Sequence, residues 1–206
     1  AGGLEWDGVE GQPTCSPNRG AWMTGKVSRE LGSSRAIAKN QQLGRERDEQ
    51  MLPQYRNALG YQRVMGGKWH LGNYTPAYAP PARGFEHFYG FLSGGIGYWD
   101  HNHGGGHDWQ RNGTTVREEG YATHLLGNEA VHLIEEYQSQ QPLFLYLAMA
   151  APHMPNEAPQ ASIDKYSQIS NPNRRVHAAM VSELDDQSGR VVEALKKRDM
   201  LDNTLI

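Results

Sequence analysis

The sequence contains one cysteine among 206 residues, which excludes an internal disulfide and leaves a single candidate reactive thiol. Lysine and arginine are not clustered and the formal net charge is −3, which argues against a nucleic-acid-binding surface. The longest apolar run, 143–151, is far shorter than the ~20 residues of a membrane span, and no apolar leader follows a basic start. We therefore expect a soluble chain that forms one domain, or part of one, without a membrane span.

Apolar patterns place helices and strands in alternation along the chain. The predicted helices are 20–29, 51–59, 121–138 and 175–198, and the predicted strands are 61–69 and 142–149. The strand at 142–149 is apolar enough to be buried on both faces. Helices that alternate with buried strands predict an α/β fold.

The remaining segments are less regular. Residues 71–115 are rich in glycine, proline and aromatic side chains and show no helical face, which predicts a long functional loop. Segment 30–48 is charged and Gln-rich and is predicted to be a surface connection. Residues 203–206 look like the start of a strand, and the sequence begins without a methionine, so we expect a chain that is cut at both ends.

Two short segments hold side chains suited to catalysis. Cys15 precedes Pro17 and Arg19 in a C-x-P-x-R pattern, which places a thiol within one turn of a guanidinium. A buried structural cysteine before a helix is the alternative. Lys68 and His70 are two residues apart, so on an extended segment both would point to the same side and could grip an anion.

A third segment places His153 directly after the predicted strand 142–149. In α/β sheets, ligands and catalytic groups collect at the carboxyl ends of strands, which makes His153 a candidate site residue. A solvated histidine in a turn is the alternative.

The order of these segments resembles the type I sulfatase family over nearly the whole chain. The matching phrases are C-x-P-x-R at 15–19, T-G-K at 24–26, L-P-Q-Y at 52–55, G-Y at 60–61, G-K-W-H-L-G at 67–72, R-G-F-E-H-F-Y-G at 83–90, A-P-H-x-P at 151–155, L-D-D at 184–186 and D-N-T at 202–204. The nearest likeness is to arylsulfatase B and bacterial polysaccharide sulfatases. The resemblance implies an alkaline-phosphatase-like mixed sheet flanked by helices, incomplete at both ends, with 1–206 as the central part of a catalytic domain.

The resemblance also implies a role for each candidate residue. Cys15 would be oxidised to formylglycine, whose hydrate attacks the sulfur of a sulfate ester. Arg19 would hold that diol, and Lys68 would pair with the sulfate oxygens. His153 would bind near the leaving oxygen and protonate it, and His70 would take the proton whose loss expels sulfate and restores the aldehyde.

A calcium ion is implied as well, bound by Cys15 in its formylglycine form together with an Asp-Asp pair and an Asp-Asn pair. We expect the first pair upstream of Ala1 and the second beyond Ile206. Asp185 and Asp186 lie inside a predicted helix and are expected to be exposed to solvent instead. Because calcium prefers about six to eight oxygen ligands, this chain alone is expected to bind it poorly and to be inactive.

By the same likeness, the aromatic segment at 98–101 would lie along the substrate rim, where Asp100 and His101 would contact the substrate. His101, His103 and His107 could instead form a zinc site, because imidazole is a common zinc ligand. Histidines in a Gly-rich loop are more often part of a flexible surface.

We therefore predict a sulfuric ester hydrolase that acts on a sulfated carbohydrate or an aryl sulfate, with a formylglycine-generating enzyme as its partner during maturation. The alternative is a non-catalytic sulfatase-like domain that binds sulfated glycans. A phosphohydrolase of the same superfamily is disfavoured, because those enzymes usually use serine or threonine as the nucleophile. Family likeness suggests a secreted, periplasmic or lysosomal setting.

Overall fold

The computed structural model describes residues 11–32, 35–38, 44 and 48–206. Its helices are α1 (Cys15–Thr24), α2 (Leu52–Ala58), α3 (Ala122–Glu135), α4 (Gln160–Asp164) and α5 (Pro172–Lys197). Its strands are β1 (Gln62–Lys68), β2 (His87–Phe91), β3 (Asn102–His103), β4 (Gly106–His107), β5 (Gln110–Arg111), β6 (Thr114–Thr115) and β7 (Leu143–Ala148). Short 3₁₀ turns lie at Pro76–Tyr78, Pro80–Arg83 and Leu201–Asn203. No helix within these described ranges is long and apolar enough to cross a bilayer.

Five of the strands form one mixed sheet in the order β6-β5-β2-β1-β7, and β3 and β4 form a separate hairpin. Strand β1 is parallel to both β2 and β7, whereas β5 is antiparallel to β2 and to β6. Near the end of β1, Gly67 is in register with Gly90 of β2 and with Ala148 of β7. Because parallel strands end at the same edge of a sheet, the segments that follow β1, β2 and β7 meet there.

Helices cover both faces of this sheet. Side chains alternate along a strand, so neighbouring residues of β2 belong to different apolar clusters. Phe88 packs in a cluster with Met23 of α1 and Met51, which precedes α2. Tyr89 packs in the other cluster, with Leu126 of α3. The alternation of helices and strands therefore produces the predicted α/β architecture.

Polar side chains fix α3 against its neighbours. Glu129 of α3 accepts a hydrogen bond from His87 Nε2 at 2.8 Å and forms a two-pronged ion pair with Arg111 of β5. His124 of α3 bonds to Glu183 of α5. These contacts tie the helix to the sheet and to α5.

Most of the predicted elements are confirmed. The helices predicted at 51–59, 121–138 and 175–198 correspond to α2, α3 and α5, and the predicted strands correspond to β1 and β7. Gly60, just beyond α2, has a φ of +74°, as expected for a residue that ends a helix in the left-handed region.

The helix predicted at 20–29 was placed too late, because α1 begins at Cys15 and ends at Thr24. Pro17 lies inside its first turn, where the missing N–H costs nothing since the first N–H groups of a helix have no intrahelical partner. Gly25 ends the helix with a φ of +72°, and its N–H donates to the carbonyl of Ala21.

Three further expectations differ from the structure. Residues 71–115 are not one irregular loop, because β2 pairs with β1 there and tertiary pairing overrides the Gly-rich composition. Strand β7 is only half-buried along most of its length, since it lies at the edge of the sheet. Residues 204–206 form no strand, and Leu205 is 99% exposed. Most of the predicted connection at 30–48 lies outside the described residues.

Candidate active site

Cys15 lies at the start of α1 and borders two adjacent cavities. The first, of about 290 Å³, is lined by residues that include His70, His103 and His153. The second, of about 370 Å³, is lined by residues that include Arg19 and Lys68. The thiol is therefore placed with imidazoles on one side and cations on the other. The first turn of a helix also carries partial positive charge, which favours a negative group at this position.

Arg19 lies one helical turn after Cys15 and is held by the ends of two strands. Its Nη1 donates to the carbonyl oxygen of Lys68 at 2.5 Å and bonds to the hydroxyl of Tyr146 at 3.1 Å. Residues four apart on a helix share a face, so the guanidinium is directed to the same side of α1 as the thiol. The strands β1 and β7 thus fix the position of Arg19.

Lys68 is the last residue of β1, and its side chain is buried, with 4% exposed. Burial is the main cause that lowers its pKa, and the neighbouring Arg19 lowers it further. The charge interaction with Cys15 acts in the opposite direction. Cys15, Arg19 and Lys68 line the same cavity, which places two cations close to the thiol.

His70 leaves the line of β1 because its backbone has a φ of +57°. Its N–H donates to the carbonyl of Leu92 at 3.1 Å, and its ring Nε2 lies 2.9 Å from the carbonyl oxygen of Ile37. The ring is buried, which lowers its pKa to about 4, and the charges of Lys68 and Arg19 lower it as well. At neutral pH the imidazole is uncharged, so it can accept a proton.

The expectation that Lys68 and His70 point to the same side is wrong. It assumed an extended backbone, whereas the left-handed conformation of His70 turns the chain after the strand. Lys68 borders the second cavity and His70 borders the first. The two side chains instead flank Cys15.

His153 follows β7 and is exposed at the mouth of the first cavity. Its ring Nδ1 lies 2.7 Å from the carbonyl oxygen of Met154, so this nitrogen carries a proton. The backbone carbonyl of His153 accepts a hydrogen bond from Tyr98 Oη at 2.9 Å. A Cβ atom on Gly95 would come within 3.2 Å of the ring, so the glycine makes room for it.

Of the residues predicted along the substrate rim, His101 is buried, whereas Trp99 and Asp100 are exposed. His101 is 1% exposed, its Nε2 bonds to the carbonyl of Gly120 and its ring stacks on Trp109, which does not fit a substrate contact. Asp100 is exposed, but its carboxylate accepts two hydrogen bonds from Asn102 in its own turn. Trp99 keeps half of its surface exposed.

The histidines considered as zinc ligands do not converge. His101 and His107 bond separately to the carbonyls of Gly120 and Val116, while His103 borders the first cavity. In the described parts of the chain, no group of three His, Cys, Asp or Glu side chains is arranged to hold a metal ion.

Calcium does not fit the described donor set either. The described residues that line the two cavities beside Cys15 include cations and imidazoles but no carboxylate, whereas calcium is held mainly by carboxylate oxygens. Asp185 and Asp186 are exposed on α5, as predicted, and Asp186 lies 4.0 Å from Lys165.

Sequence reasoning missed the residues that position the site. Asp108 accepts hydrogen bonds from the N–H groups of Leu92 and Ser93 at 3.1 and 2.8 Å, which fixes the loop after β2. In that loop, a Cβ atom on Gly94 would come within 2.6 Å of the ring of His70. The Gly94-Gly95 pair itself was a usable signal for a close approach between the main chain and another group.

Comparison with known proteins gives one consistent result. The family model described as Sulfatase matches residues 6–206. Mouse arylsulfatase J is 34% identical over 215 residues, which cover 100% of this chain and 36% of that protein. Human N-acetylgalactosamine-6-sulfatase is 29% identical, with 94% of this chain and 40% of that protein covered. The chain thus spans well under half the length of these relatives.

Solved structures agree with the sequence comparisons. The crystal structure of Ps i-CgsB in complex with k-i-k-neocarrahexaose has a TM-score of 0.88 at 33% identity and covers 94% of this chain and 47% of that chain. A Bacteroides fragilis structure, that of yidJ, has a TM-score of 0.71 at 21% identity, over 94% of this chain and 50% of that chain, and supports the fold alone. The predicted alkaline-phosphatase-like mixed sheet flanked by helices is confirmed.

Proposed function

Because the chain belongs to the sulfatase family, we propose that the protein hydrolyses sulfate esters and that Cys15, converted to formylglycine, supplies the nucleophile. The observation that carries this proposal is the position of Cys15. It borders the second cavity together with Lys68 and Arg19, and the first cavity together with His70 and His153. The proposed nucleophile therefore lies between a pair of cations suited to anion binding and two histidines suited to proton transfer.

The conversion of Cys15 is a two-electron oxidation at Cβ, for which the converting enzyme supplies the oxidant. The bond from Cβ to sulfur breaks, the sulfur leaves as hydrogen sulfide, and water supplies the aldehyde oxygen. Hydration of the aldehyde gives a geminal diol. One diol oxygen forms a bond to the sulfur of the ester while the bond from sulfur to the leaving oxygen breaks. The covalent route divides the hydrolysis into two easier steps.

The surrounding side chains assist each step. Lys68 and Arg19 are buried or tethered cations, so they stabilise the negative charge on the transferred group without reorganisation. His153, when doubly protonated, donates the proton on Nε2 to the leaving oxygen, while Nδ1 keeps its hydrogen bond to the carbonyl of Met154. His70 then accepts the proton of the second hydroxyl, while the bond from carbon to the sulfate oxygen breaks and the aldehyde is restored. The neutral state of His70 suits this last role.

The calcium ion implied by the family resemblance stays a prediction. The described residues do not supply its oxygen ligands, so the steps above use only side chains of this chain. A protein that kept the cationic pocket without a metal would bind sulfated glycans without turnover, which is the second candidate function.

A sulfated carbohydrate is the substrate class that the relatives favour. N-acetylgalactosamine-6-sulfatase and the oligosaccharide complex of Ps i-CgsB both connect this fold to sugars. The exposed ring of Trp99 offers a face for a sugar. An aryl sulfate remains the alternative substrate. The proposed partner during maturation is a formylglycine-generating enzyme, and the proposed setting is secreted, periplasmic or lysosomal.

The test uses the complete protein encoded by the gene, produced in a host with the converting enzyme. Mass spectrometry of the peptide that contains Cys15 should show an aldehyde in place of the thiol. Turnover of sulfated oligosaccharides and of an aryl sulfate should be present in this protein and absent after Cys15→Ala. The matched control is Ser28→Ala, which removes a buried hydroxyl outside the site.

Two results would contradict the proposal. If every copy of the protein keeps a thiol at residue 15, the formylglycine mechanism is wrong. An aldehyde with binding of sulfated sugars but no turnover would favour the glycan-binding alternative.

A further inference from the structure

Ser16 and His70 are connected through the main chain of Ile37. The N–H of Ile37 donates to Ser16 Oγ at 3.0 Å, and the carbonyl oxygen of Ile37 lies 2.9 Å from His70 Nε2. Ser16 is completely buried and His70 is 8% exposed, so both hydrogen bonds are largely shielded from water. Such shielding strengthens a hydrogen bond and raises the cost of leaving either group unpaired.

We propose that Ser16 is a positioning residue for His70 and that it acts by holding Ile37 in place. A carbonyl oxygen has no proton to give, so the contact with Ile37 requires a proton on Nε2 of His70. In the neutral imidazole, Nδ1 is then the unprotonated nitrogen. The hydrogen bond at one ring nitrogen thus decides which nitrogen accepts a proton.

Among the described residues around His70, Ile37 is the one whose hydrogen bond determines which ring nitrogen carries the proton. The ring Nδ1 is buried and has no hydrogen-bond partner among the described residues. Gly94 packs against the edge of the ring and contributes no polar side chain. Without the carbonyl of Ile37, neither nitrogen would be favoured by a hydrogen bond from a described residue.

Ile37 needs a support of this kind because residues 35–38 are neither helical nor in a strand. The same segment lines the first cavity, so its position affects both the ring of His70 and the space beside Cys15. Ser16 belongs to α1, which is fixed to β1 and β7 through Arg19. Ser16 therefore holds segment 35–38, which orients His70, at a fixed position relative to α1.

The test is the tautomeric state of His70, measured by ¹⁵N NMR of the histidine rings in the complete protein. The set of ring signals that disappears in His70→Gln assigns His70. We expect one neutral tautomer with the proton on Nε2 in the natural protein. Ser16→Ala should add the Nδ1-protonated form, while Ser16→Thr, which keeps a hydroxyl, should restore the natural spectrum.

Ser28→Ala is the matched control, because Ser28 is also buried but its hydroxyl donates to Gln12 Oε1 and has no link to His70. It should leave the His70 signals unchanged. If Ser16→Ala does not fold, Ser16→Cys offers a near-isosteric side chain with a weak acceptor and should show the same added tautomer. A folded variant without the hydroxyl that keeps the pure Nε2-protonated spectrum would overturn the proposal.

A kinetic measurement adds a second readout, which rests on the proposed function. Per formylglycine formed, kcat for Ser16→Ala should fall by about 10-fold with little change in KM. Counting formylglycine by mass spectrometry separates this effect from poorer conversion of Cys15. If the protein has no sulfatase activity, the proposed function fails, but the NMR result still decides the role of Ser16.

Discussion

Gly90 of β2 lies directly against the backbone of Gly67 in β1. A Cβ atom on Gly90 would come within 2.3 Å of the carbonyl oxygen of Gly67, and one on Gly67 would come within 2.0 Å of the carbonyl oxygen of Ala148. Both glycines also have positive φ values, of +148° and +99°. The three parallel strands therefore approach closely at the residue before Lys68, which places the lysine at the edge of the sheet.

This close approach predicts a large loss of stability for Gly90→Ala. The added methyl group would clash with main-chain atoms that cannot move aside, so we expect a loss of about 2–4 kcal/mol in the free energy of unfolding. Gly113→Ala is the control, because its φ is +86° but no atom lies within 4 Å of the new Cβ. It should cost only about 1 kcal/mol. Urea denaturation of both variants checks this, and equal losses would contradict a steric cause.

A second prediction concerns Tyr146, whose hydroxyl contacts Arg19 Nη1. Tyr146→Phe removes one of the two partners of that nitrogen, so the guanidinium should be held less firmly and kcat should fall by about 10-fold. Stability should fall by only about 1 kcal/mol. In the control, Tyr137→Phe, the lost hydroxyl bonds to the carbonyl of Gln141 at the surface, and kcat should not change. Equal rates in the two variants would exclude a positioning role for Tyr146.

The elements of the fold were predictable where the signal is local. The helices α3 and α5 repeat their apolar residues with a period that each segment carries by itself. Strand β2 was missed because its five residues, rich in aromatics and glycine, become a strand only through pairing with β1. The pairing of β2 with β1 cannot be predicted from the sequence of β2 alone, because the two strands are distant in sequence.

The candidate site shows the same limit. Motifs located Cys15 and His153, but the contact of Arg19 with Tyr146 joins residues 127 positions apart and has no local signature. Family likeness predicted that His101 contacts the substrate at the rim, whereas its ring stacks on the buried Trp109. A motif identifies candidate site residues, whereas the packing of the whole chain determines which of them reach the cavity.

A third prediction separates two buried tyrosines that stack on each other, Tyr98 and Tyr121. Tyr98 Oη donates to the carbonyl of His153, whereas Tyr121 Oη donates to the carbonyl of Glu157, each at 2.9 Å. Replacing either tyrosine by phenylalanine should cost about 1 kcal/mol of stability. Only Tyr98→Phe should lower kcat, by about 10-fold, because it releases His153, the residue that we propose protonates the leaving oxygen.

Steady-state kinetics and urea denaturation of both variants check this. A similar loss of kcat in Tyr121→Phe would show that the whole 153–157 segment matters rather than the hydrogen bond to His153.

The last prediction concerns the stability of the fold at low pH. Burial alone would raise the pKa of Glu129, but hydrogen bonds from His87 and Arg111 outweigh burial and lower the pKa to about 2. In the unfolded chain the carboxyl has its ordinary pKa near 4.5. Because the folded pKa is the lower one, the ionised carboxylate stabilises the fold fully above about pH 4.5. That stabilisation is lost as the pH falls towards 2.

The expected size of this effect is roughly 3 kcal/mol, since each unit of pKa difference corresponds to about 1.4 kcal/mol. Urea midpoints measured between pH 7 and pH 2.5 should show a large deficit for Glu129→Gln at neutral pH, and the deficit should shrink steadily below about pH 4.5. Glu135→Gln is the control, because that carboxylate pairs with Lys197 in an exposed ion pair, which solvent weakens. It should shift the midpoints little at any pH. A deficit for Glu129→Gln that stays constant down to pH 2.5 would mean that the glutamate stabilises α3 by packing, and that its charge contributes nothing.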